Sequence, residues 1–201
     1  MNRVLILYPK LFTCYTKFSR KVLRIIQNMG DFEIVYQEDT NDFIKNLCLE
    51  NLQGIKISKN DSWQFLDLTH AIIFDDGEEF TKETDLLLTA NIPLRIIKIA
   101  ITRVVNIKKE IYYQSLKSIP TYQYIGRGSY WGNPYSMLED GDDRAEVIRK
   151  FKYDFDFEKF ANKKKSEVFK LSGKRLGCFC KPEPCHGDVL ADFLNSWDDG
   201  K

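Results

Sequence analysis

Three cysteines and a histidine crowd into one short stretch of this chain, Cys178-Phe179-Cys180 followed by Cys185-His186-Gly187-Asp188. These residue types either hold a soft metal or place a thiolate beside a general acid or base. As a metal site, Cys178, Cys180, Cys185 and His186 offer the four donors that zinc prefers. The spacing argues against it, because ligand pairs usually stand roughly two to four residues apart. Adjacent Cys185 and His186 rarely reach one tetrahedral ion, and the only other histidine is His70. As a reactive site the pattern is better. On a strand, Cys178 and Cys180 share a face, and Pro182 and Pro184 then force a loop that delivers Cys185 and His186 to the start of the last helix. Unpaired N–H groups and the helix dipole there stabilise a thiolate or a bound anion. His186 is the natural acid or base, Asp188 caps the helix or orients the imidazole, and Cys185 completes the expected catalytic group. Cys178 reads as a small buried core residue. No cofactor is expected, zinc on the four donors being the alternative.

A second polar constellation precedes it, Gly126-Arg127-Gly128-Ser129-Tyr130-Trp131-Gly132-Asn133-Pro134. Two glycines around Arg127, followed by Ser129, can form a nest of N–H donors with a cation and a hydroxyl for a phosphate or carboxylate. Trp131 supplies a flat face for stacking a base or sugar, and Asn133 a polar edge. The expected ligand-binding set is Gly126, Arg127, Gly128, Ser129, Trp131 and Asn133, joined by Cys180 and by Glu183. Held between two prolines near His186, Glu183 contacts a ribose hydroxyl, serves as a second acid, or faces solvent. Elsewhere His70, Cys14 and Cys48 read as structural, and Asp75, Asp76, Glu78 and Glu79 as an exposed turn.

These groups must be positioned by ordered elements, and the composition supports a packed core: 43% of the 201 residues are hydrophobic and 13% aromatic. In the first half, strand-like and helix-like segments alternate. Val4–Leu7, Phe32–Tyr36, Gly54–Ile57, His70–Phe74 and Leu94–Ile99 read as strands. Between them lie helical stripes at Phe18–Met29, Phe43–Cys48 (with cap candidates Asp39 and Thr40) and Thr81–Ala90. This spacing predicts a Rossmann-like, doubly wound, mostly parallel sheet. In the second half, Arg103–Asn106, Tyr122–Ile125 and Leu176–Cys180 read as strands. Asp143 and Glu146 open a helix whose buried face is Val147, Ile148, Phe151 and Phe155. The last helix buries Val189, Leu190, Phe193, Leu194 and Trp197. The boundary lies near 99–102, giving domains 1–101 and 102–201. With no flexible linker there, the halves are expected to pack together and could share one sheet.

Thirty basic residues against 29 acidic ones leave a net charge of +1, no basis for strong non-specific nucleic-acid binding. Lys163-Lys164-Lys165 reads as a solvated helix end. No apolar run reaches membrane-spanning length. The odd count of five cysteines, behind an N-terminus that reads as a strand rather than a leader, implies reduced thiols and a cytoplasmic location.

Val104-Val105-Asn106, Tyr124 to Ser129, Trp131 to Pro134 and Leu176 to Leu190 together resemble a family known as domain of unknown function 4326 (DUF4326), over roughly residues 103–195. The first half resembles the SLOG branch of Rossmann-like folds, which includes cytokinin-activating phosphoribohydrolases and other binders of nucleotide-derived ligands. The matching parts are Phe32-Glu33-Ile34-Val35, Asp42, Phe74-Asp75-Asp76-Gly77, Thr81-Lys82 and Leu94–Ile97. The glycine pair that this resemblance leads one to expect after the second strand is Tyr36-Gln37 here, and the glycine before Thr81 is missing. A Cβ at such positions blocks the approach of a phosphate to the backbone. The expected function is therefore placed in the second half, a smaller α/β domain that binds a nucleotide or ADP-ribose-like ligand and acts as a hydrolase or glycosyl transferase at its glycosidic or phosphate bond. Two other classes stand beside it: a non-enzymatic ligand-sequestering or interaction protein of a mobile element, and a zinc-stabilised module contacting nucleic acid.

Overall fold

The computed structural model describes residues 1–137 and 141–200. It divides into two compact units, Met1–Ile99 with the last residues from Asp198 onward, and Ala100–Trp197. The first unit runs β1 (Asn2–Leu7), α1 (Tyr15–Ile26), β2 (Phe32–Tyr36), α2 (Phe43–Asn51), β3 (Ile57–Lys59), β4 (His70–Asp75), α3 (Thr81–Thr89) and β5 (Leu94–Lys98). Its five strands lie in the order β3-β2-β1-β4-β5, every pair parallel. This is the Rossmann-like, doubly wound sheet that the alternation predicts. Val4, Leu5, Ile6 and Leu7 are all buried because β1 is central and covered on both faces, so its sequence is one unbroken apolar run. An exception to apolar burial is Glu33 on β2. Its carboxylate meets Arg3 Nε at 2.5 Å and Lys56 Nζ at 3.3 Å, and the Arg3 hydrogen bond holds its pKa below the ordinary value.

Among the boundaries that differ from expectation, two stand out. The third strand begins at Ile57 rather than Gly54, because Gly54 takes φ +85° in the turn that closes α2, where Ile55 N–H donates to the Leu52 carbonyl. The first helix stops at Ile26, before the expected Met29. Asp39 is the true cap of α2: its two oxygens accept from the N–H groups of Ile44 and Lys45, at 3.0 and 3.1 Å.

The second unit runs β6 (Arg103–Asn106), β7 (Ser118–Ile119), β8 (Tyr122–Tyr124), α4 (Arg144–Asp156), a 3-10 segment (Lys165–Leu171), β9 (Arg175–Cys178) and α5 (His186–Asn195). Its strands form a separate sheet, β6-β9-β8-β7, parallel except for the β7–β8 pair. The shared sheet is therefore not formed. β6 takes its partner from β9, in register Arg103 to Arg175 through Asn106 to Cys178, while β5 is the edge of the first sheet. Ile125, Phe151, Phe155, Leu176, Leu190 and Leu194 make the core of this unit. Trp197, expected inside, is 50% exposed just past the end of α5. The three consecutive lysines are not a bare solvated end either. Lys163 Nζ donates to the Gly132 carbonyl and lies over the Phe160 ring, and Lys165 Nζ donates to the Asp156 carbonyl. No helix among the described residues is long and apolar enough to cross a membrane.

Candidate functional site

Strand β9 is interior to its sheet, and the chain leaves its C-terminal end at Cys178. The loop 179–185 then turns through a cis Lys181–Pro182 bond and returns Cys185 to the start of α5. Sequence spacing underestimates what this loop does. The Sγ atoms of Cys178, Cys180 and Cys185 all lie within 4.8 Å of one another, Cys178 and Cys180 being 3.4 Å apart. Cys178 and Cys185 are buried and Cys180 is half-buried. The Cys180 thiol is driven far below its ordinary pKa by hydrogen bonds from Cys178, Cys185 and the Arg144 guanidinium. The Cys180 contact pushes Cys178 up, and contacts with Cys178 and Cys180 together with burial push Cys185 up.

His186 is buried as the first residue of α5. Its Nε2 bonds the Ile125 carbonyl at 2.9 Å, and its Nδ1 lies 3.6 Å from Cys185 Sγ. Burial lowers its pKa, against the smaller effect of the Ile125 contact. A carbonyl can only accept, so Nε2 carries the proton and Nδ1 keeps a lone pair. Gly187 permits this docking: a Cβ there would stand 2.5 Å from Ile125 Cδ1. Asp188 does not orient His186. Its Oδ2 accepts from Cys185 N–H at 2.9 Å, closing a capping box with the Cys185 sulfur, and its Oδ1 pairs with Lys181 at 2.6 Å.

The segment 126–134 folds as two successive turns, Ser129 N–H to the Gly126 carbonyl and Gly132 N–H to the Ser129 carbonyl. Arg127 is exposed and spends one Nη2 hydrogen bond, 3.2 Å, on the Tyr135 carbonyl. Asn133 is spent on structure: Nδ2 donates to the Val147 carbonyl and Oδ1 accepts from Tyr135 N–H, each at 3.0 Å. This ties the loop to α4. Trp131, only 4% exposed, packs in the core against Phe155.

Both constellations open onto one cleft of about 190 Å³. Gly126, Arg127, Asn133, Cys178, Cys180, Cys185 and His186 line it. Gly128, Ser129, Trp131, Glu183 and Asp188 are not among its walls. Sequence reasoning missed Arg144, Tyr135, Met137 and Phe179, which do line it; Val147 and Ile148 were taken only as core. Arg144 was legible only as the residue after the cap Asp143, whose Oδ1 accepts from Glu146 N–H at 2.8 Å. It is the first residue of α4 and reaches the Pro184 carbonyl at 3.3 Å.

The first unit has a crevice of about 320 Å³ lined by Leu7, Tyr8, Lys10, Gln37, Glu38, Thr40, Glu79, Phe80 and Glu83. It lies past the ends of β1, β2 and β4, where doubly wound folds take their ligands. Three carboxylates against one ammonium make it a poor phosphate site. Phe80, standing where the resemblance to SLOG folds calls for glycine, nevertheless holds φ +62°.

Residues 1–105 match the family described as the Minimal SLOG domain (mSLOG), and residues 106–196 match the Domain of unknown function DUF4326. The first match spans more than half of the chain, which belongs to the minimal SLOG family; both halves answer to the resemblances read in the sequence. The chain is also similar to an uncharacterized 12.4 kDa protein of Enterobacteria phage T4, in the nrdA-td intergenic region, at 43% identity over 76 residues. That alignment covers 35% of this chain and 65% of the phage protein, just under two thirds of its length. No solved structure matches the chain.

Proposed function

We propose that the second unit binds a phosphate-bearing, nucleotide-derived small molecule in the cleft between the Gly126–Asn133 turns and the thiol loop. The observation that carries this reading is the convergence of two guanidinium groups, Arg127 and Arg144, on one largely apolar cleft. Each has five N–H donors; Arg127 spends one on the Tyr135 carbonyl, and Arg144 bonds the Pro184 carbonyl and the Cys180 sulfur, so both keep donors for phosphate oxygens. Stacking, expected of Trp131, passes to Phe179, which is 49% exposed, with Tyr135 also lining the cleft. A volume of about 190 Å³ is below the roughly 300–1,000 Å³ usual for enclosing a whole ligand of drug size, so the cleft suits one phosphoribosyl-sized moiety. Turnover at a glycosidic or phosphate bond is the second reading, favoured by the Cys185–His186 thiol–imidazole pair on the inner wall. Asp188 then acts as a positioning residue through the helix start.

The test is calorimetric titration of the full chain with nucleoside mono- and diphosphates and ADP-ribose, with amide resonances followed in parallel. Arg127→Ala and Arg144→Ala should each weaken binding by about tenfold or more, the cost of one charged hydrogen bond at 1.5–3 kcal/mol, while thermal unfolding stays unchanged. Shifts should cluster around Arg127, Phe179 and His186 and spare Gln37, Glu79 and Phe80. Unaltered binding by both variants would sink the assignment. Ligand recovered intact after long incubation would confine the protein to binding.

A further inference from the structure

We infer that Cys178, Cys180 and Cys185 hold one soft divalent ion, zinc in a cell, with the fourth vertex open to the cleft. This goes beyond ligand recognition by the two arginines, which stands or falls separately.

Three observations carry the inference. Zinc–sulfur bonds of about 2.3 Å in a tetrahedron place their sulfurs about 3.8 Å apart. The three Sγ atoms already lie within 4.8 Å of one another, with one pair at 3.4 Å, so closing on an ion takes shifts of well under an ångström per side chain. Second, neither obvious alternative uses all three sulfurs. A Cys178–Cys180 disulfide would leave Cys185 over, and simple core packing has no need of three sulfurs gathered on the wall of a cleft. Third, the surroundings suit a ligated thiolate cluster. Gly187 N–H donates to Cys185 Sγ at 3.4 Å from the start of α5, where the helix dipole favours negative charge. Arg144 lines the same cleft as Cys180 and offers a positive charge beside the single net negative charge of one zinc with three thiolates. Such outer partners orient ligands in metal sites generally.

No other ligating atom among the described residues joins this group at the same distance, which leaves one vertex for water or for the cleft's ligand. His186 Nδ1 stands next to Cys185 without belonging to the set. Binding converts three thiols to thiolates, each giving its electron pair to the ion and its proton to solvent. With the ion in place Cys185 is a ligand rather than a free thiol, and water on the open vertex becomes the acidic, reactive group of the inner wall.

The experiment uses the full chain, purified under reducing conditions without chelator, then stripped and reconstituted anaerobically with zinc or cobalt(II). Elemental analysis should find about one zinc per chain. The cobalt form should show an intense thiolate-to-metal charge-transfer band and the strong visible bands of four-coordinate cobalt. Added imidazole should shift those visible bands by entering the open vertex, and bands that do not respond overturn the open vertex. Cys180→Ser should cost more affinity, against a chromophoric chelator, than the roughly 10–100-fold of losing an outer-shell partner. Cys48→Ser, in the other unit, should change nothing. Should Cys180→Ser fail to fold, the wild-type cobalt spectrum still decides. Reconstituted wild type with no stoichiometric zinc and no charge-transfer band overturns the site, whatever the arginine variants do to nucleotide binding.

Discussion

His186 and Asp188 sit two residues apart and do different jobs. The imidazole turns inward, spending Nε2 on the Ile125 carbonyl and facing Cys185 with Nδ1. The carboxylate turns back on its own helix start and takes Cys185 N–H and Lys181. Asp188→Ala should therefore act on stability, lowering it by about 1 kcal/mol as cap losses do, with nucleotide affinity unchanged. Urea unfolding and calorimetry on the same variant separate the two, and an affinity loss at constant stability would restore Asp188 to the ligand. At this scale the sequence exposed residue types but not allegiances. Gly126, Arg127, Asn133, Cys180 and His186 could be read from the clustering of polar and thiol groups in the chain, and they line one cleft. That Trp131 turns into the core, and that Asn133 also ties its loop to α4, could not be read, since no local pattern distinguishes an inward ring or a structural amide from one turned toward solvent.

Elements position these residues through a few buried polar ties. Asn195, at the end of α5, is one of them. Its Oδ1 accepts from Thr102 N–H at 2.8 Å and its Nδ2 donates to the Thr102 carbonyl at 3.0 Å, fastening the helix to the chain entering β6. Asn195→Ala would leave both backbone groups of a buried residue unpaired. The expected loss is about 2–4 kcal/mol, from roughly 1–3 kcal/mol per orphaned group, read as a lowered denaturation midpoint. Asn195→Asp, which sets a buried carboxylate oxygen against the Thr102 carbonyl, should cost at least as much. Periodicity found the helices and the central strands, because one apolar stripe or one apolar run suffices to reveal them. It misplaced the start of β3 and the end of α1, which are set by a positive-φ glycine and by turns rather than by hydrophobic pattern. The convergence of the thiols lay beyond any count of intervening residues, being a property of how the loop 179–185 returns to α5.

On the scale of the whole molecule, two sheets each carry a core, and the membership of the first in the minimal SLOG family agrees with its all-parallel β3-β2-β1-β4-β5 order. Alternation of strands and helices made that architecture legible, whereas partition into two sheets depended on pairings between β6 and β9, distant in sequence. Acid sensitivity of the first sheet is expected from the buried Glu33 carboxylate and its two partners, Arg3 and Lys56. Glu33 has a folded pKa below its unfolded value, chiefly through Arg3, so the carboxylate's contribution to stability is fully present above about pH 4.5 and is lost as pH falls through the depressed folded value. Glu33→Gln should be less stable at neutral pH and show a flatter acid limb. Chemical denaturation across that window checks the sign, and an unchanged limb would remove Glu33 from the account.

Phe80 lines the crevice of the first unit in an uncommon backbone conformation. Phe80 holds a left-handed backbone that costs an L-residue roughly 1–2 kcal/mol, at a place where glycine would sit at ease. An engineer introducing anion recognition here could place glycine at this position without rebuilding the main chain. The obstacles are a ring and three carboxylates, Glu38, Glu79 and Glu83, and each can be removed by ordinary substitution.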